Sequence, residues 1–192
     1  MILRPQLNVF LDQTLHDWRD FYVMGGTAAA TLVGLMFVFA SIGASQVARR
    51  NLGAMRAFIT PTVVHFGAAL LVCLVSIMPG HSDRSLGGAL GVGALIGVAY
   101  CCQILLLIFR SFAAGLVWED RLFYALMPFS GYLLLLASAA LELDERPASA
   151  NVLAGIAIMV LIVAGLRNAW DMTLWMTTRG DTAEPPAVAE GG

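Results

Sequence analysis

Five stretches of this chain run for twenty or more residues without a single Asp, Glu, Lys or Arg: Phe21 to Ala48, Ala57 to Ser82, Ser85 to Phe109, Leu122 to Leu141 and Pro147 to Leu166. A helix needs about 20 apolar residues to cross the hydrocarbon core of a bilayer, and each stretch reaches that length between flanking charges. Lipid leaves a broken backbone without hydrogen-bond partners, and the out-in alternation of a membrane barrel strand is absent, so helices are the reading. Composition leads to the same place. Of the 192 residues 59% are hydrophobic and 12% charged, against about 25% charged in a soluble domain, too few to cover a water-facing surface. The expected fold is all-α: a polytopic membrane protein built as a bundle of five transmembrane helices. Its spans are expected at about 21–45, 57–79, 87–109, 122–141 and 148–168, within a domain covering 21–175.

The ends differ from the spans. In residues 1–20, Leu11, Leu15 and Trp18, continued by Tyr22, recur at helical spacing, opposed by Asp12, Gln13, His16, Asp17 and Arg19. This is an amphipathic N-terminal helix that lies at the interface or extends the first span. It is too long and acidic for a secretory signal and is expected to stay in the mature protein. The segment 176–192, with Pro185-Pro186 and little to bury, reads as a disordered tail.

All eleven basic residues are arginine. With five spans, Arg49, Arg50, Arg56, Arg110, Arg121, Arg167 and Arg179 share one side, and Arg4, Arg19, Arg84 and Arg146 the other. The positive-inside rule makes the first side cytoplasmic, with the N-terminus outside and the C-terminus inside. Trp18, Tyr22, Trp118, Trp170 and Trp175 fall near span ends, as interface anchors do. Cys73, Cys101 and Cys102 lie within apolar runs without redox or zinc spacing, and read as small buried hydrophobes.

Small residues recur every fourth position in span one, at Gly26, Ala30 and Gly34, and in span three, at Ala89, Gly93 and Gly97. Such ridges let helix backbones approach, so both read as helix-packing seams, with a subunit interface as the alternative. Pro61 in span two and Pro128 in span four are candidate kinks, since proline removes a helical hydrogen bond. His65 follows Pro61 by one turn, and an ionisable residue inside a span is a functional candidate. Counted from the loops, His65, Tyr100 and Gln103 lie at similar depth in the cytoplasmic third and form a candidate polar cluster. The outer halves of the spans offer no comparable polar residues.

No nucleophile elbow, zinc-protease motif, phosphate-binding loop or intramembrane carboxylate pair is present, so no catalytic residue, cofactor or metal ligand is assigned, and an enzyme is not expected. No basic run points to nucleic acid. The runs Trp18 to Tyr22, Gly26 to Val38, and Arg56 to Gly67 with its Thr60-Pro61-Thr62 and His65 resemble the opening of a group of uncharacterised small bacterial inner-membrane proteins. The resemblance covers the first two spans and implies a bacterial inner-membrane location, with no substrate or activity attached. The expected function is that of a non-catalytic membrane partner or assembly factor, the alternative an oligomeric channel or small-solute conduit. Its partners are the lipid bilayer and either further copies of itself or another membrane protein.

Overall fold

A computed structural model describes the backbone of residues 3–47, 52–110 and 118–180, and the side-chain surroundings of 18–41, 60–106 and 125–174. The described residues are helices joined by short turns: α1 Leu3–Val47, α2 Leu52–Ile77, α3 Asp83–Arg110, α4 Trp118–Leu143 and α5 Pro147–Gly180. Each of the five is long and apolar enough to cross a membrane. Large side chains cover the outside, with Met24 at 73% exposure, Ile96 at 66% and Phe37 at 64%. The surface of this five-helix membrane bundle is hydrocarbon because its solvent is.

Of the two readings of the amphipathic segment, extension of the first span is the one seen, because α1 runs unbroken for 45 residues, about 67 Å at 1.5 Å per residue, against a hydrocarbon core of about 30 Å. One boundary differs from the sequence reading. α5 runs to Gly180, so 176–180 are helical, and 181–192 lie outside the described residues. α2 and α4 also continue through Pro61 and Pro128 without an unwound turn.

Both described turns carry recognisable stops and starts. Before α3, Gly80 takes a left-handed φ of 87°. Ser82 then caps the helix reciprocally with Ser85, each backbone N–H donating to the other's hydroxyl, at 3.3 and 2.9 Å. α4 ends in a Schellman pair, Arg146 N–H to Leu141 O and Glu145 N–H to Glu142 O. Glu145 fills the left-handed position, at φ 58°, that glycine usually takes. Pro147 then opens α5 at the position where a missing N–H costs nothing. This tight hairpin sets α4 and α5 antiparallel.

α5 is central, packed between α4 and α2, while α3 lies on α4 and α1 on α2. The contact stripes follow a heptad-like spacing of three and four. On α3 the buried positions are Gly87, Leu90, Ala94, Gly97 and Cys101, and on α1 they are Tyr22, Gly26, Ala29 and Met36. Within one copy, only part of each expected seam meets a neighbouring helix. A strict every-fourth ridge drifts about 40° per step round a helix with 3.6 residues per turn, so only one end of each ridge meets a neighbour. A Cβ on Gly26 would stand 3.1 Å from that of Cys73, and one on Gly97 would collide with the ring of Tyr132. Ala30, Gly34, Ala89 and Gly93 are exposed, and Gly34 and Gly93 have nothing within 4 Å. Cys73 and Cys101 are buried as expected, but Cys102 is exposed.

Candidate functional site

The bundle holds two polar layers separated by an apolar core. The first surrounds His65, at the middle of α2, and Tyr132, near the middle of α4. His65 is 1% exposed, and its Nδ1 shares a 3.1 Å hydrogen bond with the Tyr132 hydroxyl, the donor depending on the histidine tautomer. Tyr132 reaches it because Gly97 lacks a side chain, which lets the tyrosine ring lie flush against α3. Tyr100 meets the imidazole edge-on, with ring centroids 6.3 Å apart. Thr62 is buried one turn earlier on α2.

Two of the three residues expected in this cluster therefore meet. Gln103 does not join them. It is exposed and lies about 200° round α3 from Cys101, opposite the buried stripe. Counting from the loops does not fix rotation about the helix axis, and the helical repeat turns Gln103 outward. Tyr132 is the residue that counting missed. A tyrosine this far from either end of a span needs a hydrogen-bond partner, and that need was the available signal.

Beside this layer, α2 and α3 barely touch although a short turn joins them. Between them lies an apolar cleft of about 530 Å³, walled by Val64 to Val75 on α2 and Ala89 to Tyr100 on α3, with Tyr132 and Leu135 behind.

The second polar layer lies at the end of the bundle that carries the α4–α5 turn and corrects the expectation that the outer halves of the spans are apolar. The Tyr22 hydroxyl donates to Asn151 Oδ1 at 2.7 Å, tying α1 to α5. Ser138 Oγ donates to the Ala150 carbonyl at 2.8 Å, tying α4 to α5. Tyr22 adjoins Ser76 of α2 and lies within electrostatic reach of Glu142 of α4. Glu142 is 2% exposed, pressed against α3 where a Cβ on Gly87 would approach its own Cβ at 3.0 Å. In the sequence Tyr22 reads as an interface anchor and Glu142 as part of an acidic loop. The helical repeat that puts Leu135, Ser138 and Ala139 on the buried face of α4 carries Glu142 with them.

Between the layers, from His65 to Ser76 on α2, Phe66, Ala69, Val72 and Cys73 are buried over about 16 Å of helix. Ala157, Ile158 and Leu161 of α5 and Leu135 of α4 face them in the same core. Among the described residues no three His, Cys, Asp or Glu side chains gather as a metal site. No family model, curated protein or solved structure matches the chain.

Proposed function

We propose that this chain is a non-catalytic accessory protein of the bacterial inner membrane. It acts by contact with another membrane protein, with its N-terminus outside and its C-terminus in the cytoplasm. The observation that carries this reading is the dry core between the two polar layers. A conduit within one copy requires polar atoms at successive depths, and here about 16 Å of apolar side chains intervene. A non-catalytic role is supported by the state of His65, which is 1% exposed and already hydrogen-bonded to Tyr132. The orientation rests on the arginine imbalance, seven against four.

The outward stripe of α1 fits lipid contact rather than a pore wall. Thr27, Thr31 and Ser41 are exposed there, and each hydroxyl donates back to the carbonyl four residues earlier. Residues that satisfy themselves within their own helix can face hydrocarbon.

The test is purification of the full chain in mild detergent, with mass measurement of the intact complex, followed by reconstitution into vesicles. A foreign membrane protein held at fixed stoichiometry, with vesicles that retain small solutes, supports the accessory reading. A homo-oligomer alone, with vesicles made leaky to small solutes, overturns it in favour of the oligomeric conduit.

A further inference from the structure

The cleft between α2 and α3 reaches only halfway through the bundle. Its two walls, Val64 to Val75 and Ala89 to Tyr100, are each about 16 Å long at 1.5 Å per residue. They begin beside the α2–α3 turn, since Val75 lies just before the end of α2, and they stop at Val64, in the middle of that helix. One leaflet contributes about half of a hydrocarbon core of about 30 Å, so the cleft has the depth of a single leaflet. A partner's transmembrane helix would instead run the full thickness, past the inner end of the cleft.

The walls also decide what can fill the space. Of the lining side chains only Tyr100 and Tyr132 carry a polar atom, and the Tyr132 hydroxyl is bonded to His65. A buried water needs about two to four polar partners, so water is a poor filling. Carbon atoms at Gly67 or Gly93 would meet nothing within 4 Å, and an empty cleft would leave both walls without dispersion contacts. At the mouth, Leu71 and Ile96 are 62% and 66% exposed and belong to the lipid-facing surface. The cleft is therefore continuous with the hydrocarbon that already covers the bundle.

We propose that this cleft binds one acyl chain of a bilayer phospholipid, drawn from the leaflet on the side of the α2–α3 turn. The head group sits at the turn, where Ser82, Asp83 and Arg84 are exposed, and the end of the chain rests against Tyr100 and Tyr132. Gly67 and Ala68 on one wall and Ala89 and Gly93 on the other make room for it. The bound chain fills the gap that α2 and α3 leave, and its inner end touches the tyrosine that holds His65. This site goes beyond the accessory role and does not depend on it, because it requires only that the bundle be embedded in lipid.

The experiment titrates the full chain, purified in mild detergent and stripped of lipid, with palmitoyl-oleoyl phosphatidylcholine, reading both the mass of the intact complex and the unfolding midpoint. A ligand that binds only the folded form raises the midpoint. The wild-type chain should retain one phospholipid with a saturable rise in midpoint, and glycerophosphocholine, the head group without acyl chains, should produce neither. Gly67→Leu and Gly93→Leu each place a side chain in the volume the acyl chain occupies and should weaken retention about tenfold. Gly34→Leu, the same change at an open glycine of α1 outside the cleft, should retain the phospholipid as the wild type does, which separates this site from lipid held all round the bundle. Dioctanoyl phosphatidylcholine, whose chains are half as long as palmitoyl, should be retained less by the wild type at the same mole fraction in the micelle. That comparison keeps the question decidable if neither cleft variant folds. A wild-type chain that retains no phospholipid, retention indifferent to chain length, unchanged retention in both cleft variants, or an equal loss in Gly34→Leu overturns the proposal. A dimer that excludes the phospholipid and is broken by Gly93→Leu also overturns it, by giving the cleft to a second copy.

Discussion

Gly97→Ala and Gly93→Ala differ by one turn on the same helix, and the bundle gives them opposite outcomes. A methyl group at position 97 collides with the ring of Tyr132, so either α3 and α4 move apart or the ring swings away from His65. Forcing an extra methyl group into a packed contact costs about 1–3 kcal/mol. If the ring moves, the buried histidine also loses a hydrogen bond, about 0.6 kcal/mol as an average inside membrane proteins and about 1–3 kcal/mol if it stays unpaired. The helix gains up to about 1 kcal/mol from replacing glycine, leaving a net loss of about 1–5 kcal/mol. At position 93 nothing lies within 4 Å, so the propensity gain stands alone and the variant should be as stable as the parent or up to about 1 kcal/mol more stable. Thermal unfolding in one detergent at one scan rate measures the pair, since midpoints of irreversible unfolding compare only under matched conditions. Equal losses at both positions would refute the assignment of the α3 contact face and restore the every-fourth ridge.

The same reasoning extends to other positions. Tyr132→Phe strands the His65 ring nitrogen and should lower stability by about 0.6–2 kcal/mol, while His65→Leu, which removes that polar group altogether, should cost less than Tyr132→Phe in the same melting assay. Gly26→Leu should destabilise the bundle by more than about 2 kcal/mol, because Cys73 stands 3.1 Å from the added carbon, whereas Gly34→Leu should leave both the melting temperature and the oligomer mass unchanged. Glu145→Gly should stabilise by about 1 kcal/mol, since it relieves the left-handed conformation and gives up only an exposed ion pair with Arg84; a loss in its melting temperature would show that the ion pair outweighs the backbone.

Span count was legible because a bilayer imposes a length and an absence of charge that a reader can count directly. Which face of each span meets its neighbours was not, and the small-residue ridges show why. Gly26 and Gly97 pack as expected, yet Gly34 and Gly93 have open space beside them, because packed helices keep a spacing of three and four rather than a strict four. Polar residues met the same difficulty. Counting from the loops brought His65 and Tyr100 together, and their rings meet, but rotation about the helix axis is not countable, and Gln103 turned outward. The need of Tyr132 for a partner was visible, but not which partner, because that depends on Gly97, a contact between helices that no single stretch of sequence contains. Glu142 was hidden differently: its loop-like neighbours Asp144 and Glu145 are exposed, and only the helical register separates it from them.

The central claim, that a dry core separates the two polar layers, is tested most directly by thiol labelling along α2 with a small polar reagent. His65→Cys and Ala69→Cys are introduced singly into a chain lacking Cys73, Cys101 and Cys102, native Cys73 is tested with the other two removed, and Ser82→Cys in the exposed turn serves as the reactive control. Positions 65, 69 and 73, each 1% exposed or less in their native form, should remain unlabelled in the folded protein from either side of the membrane, while position 82 reacts readily. Labelling of all three at rates approaching that of position 82 would mean that water runs the length of α2, and would contradict the account.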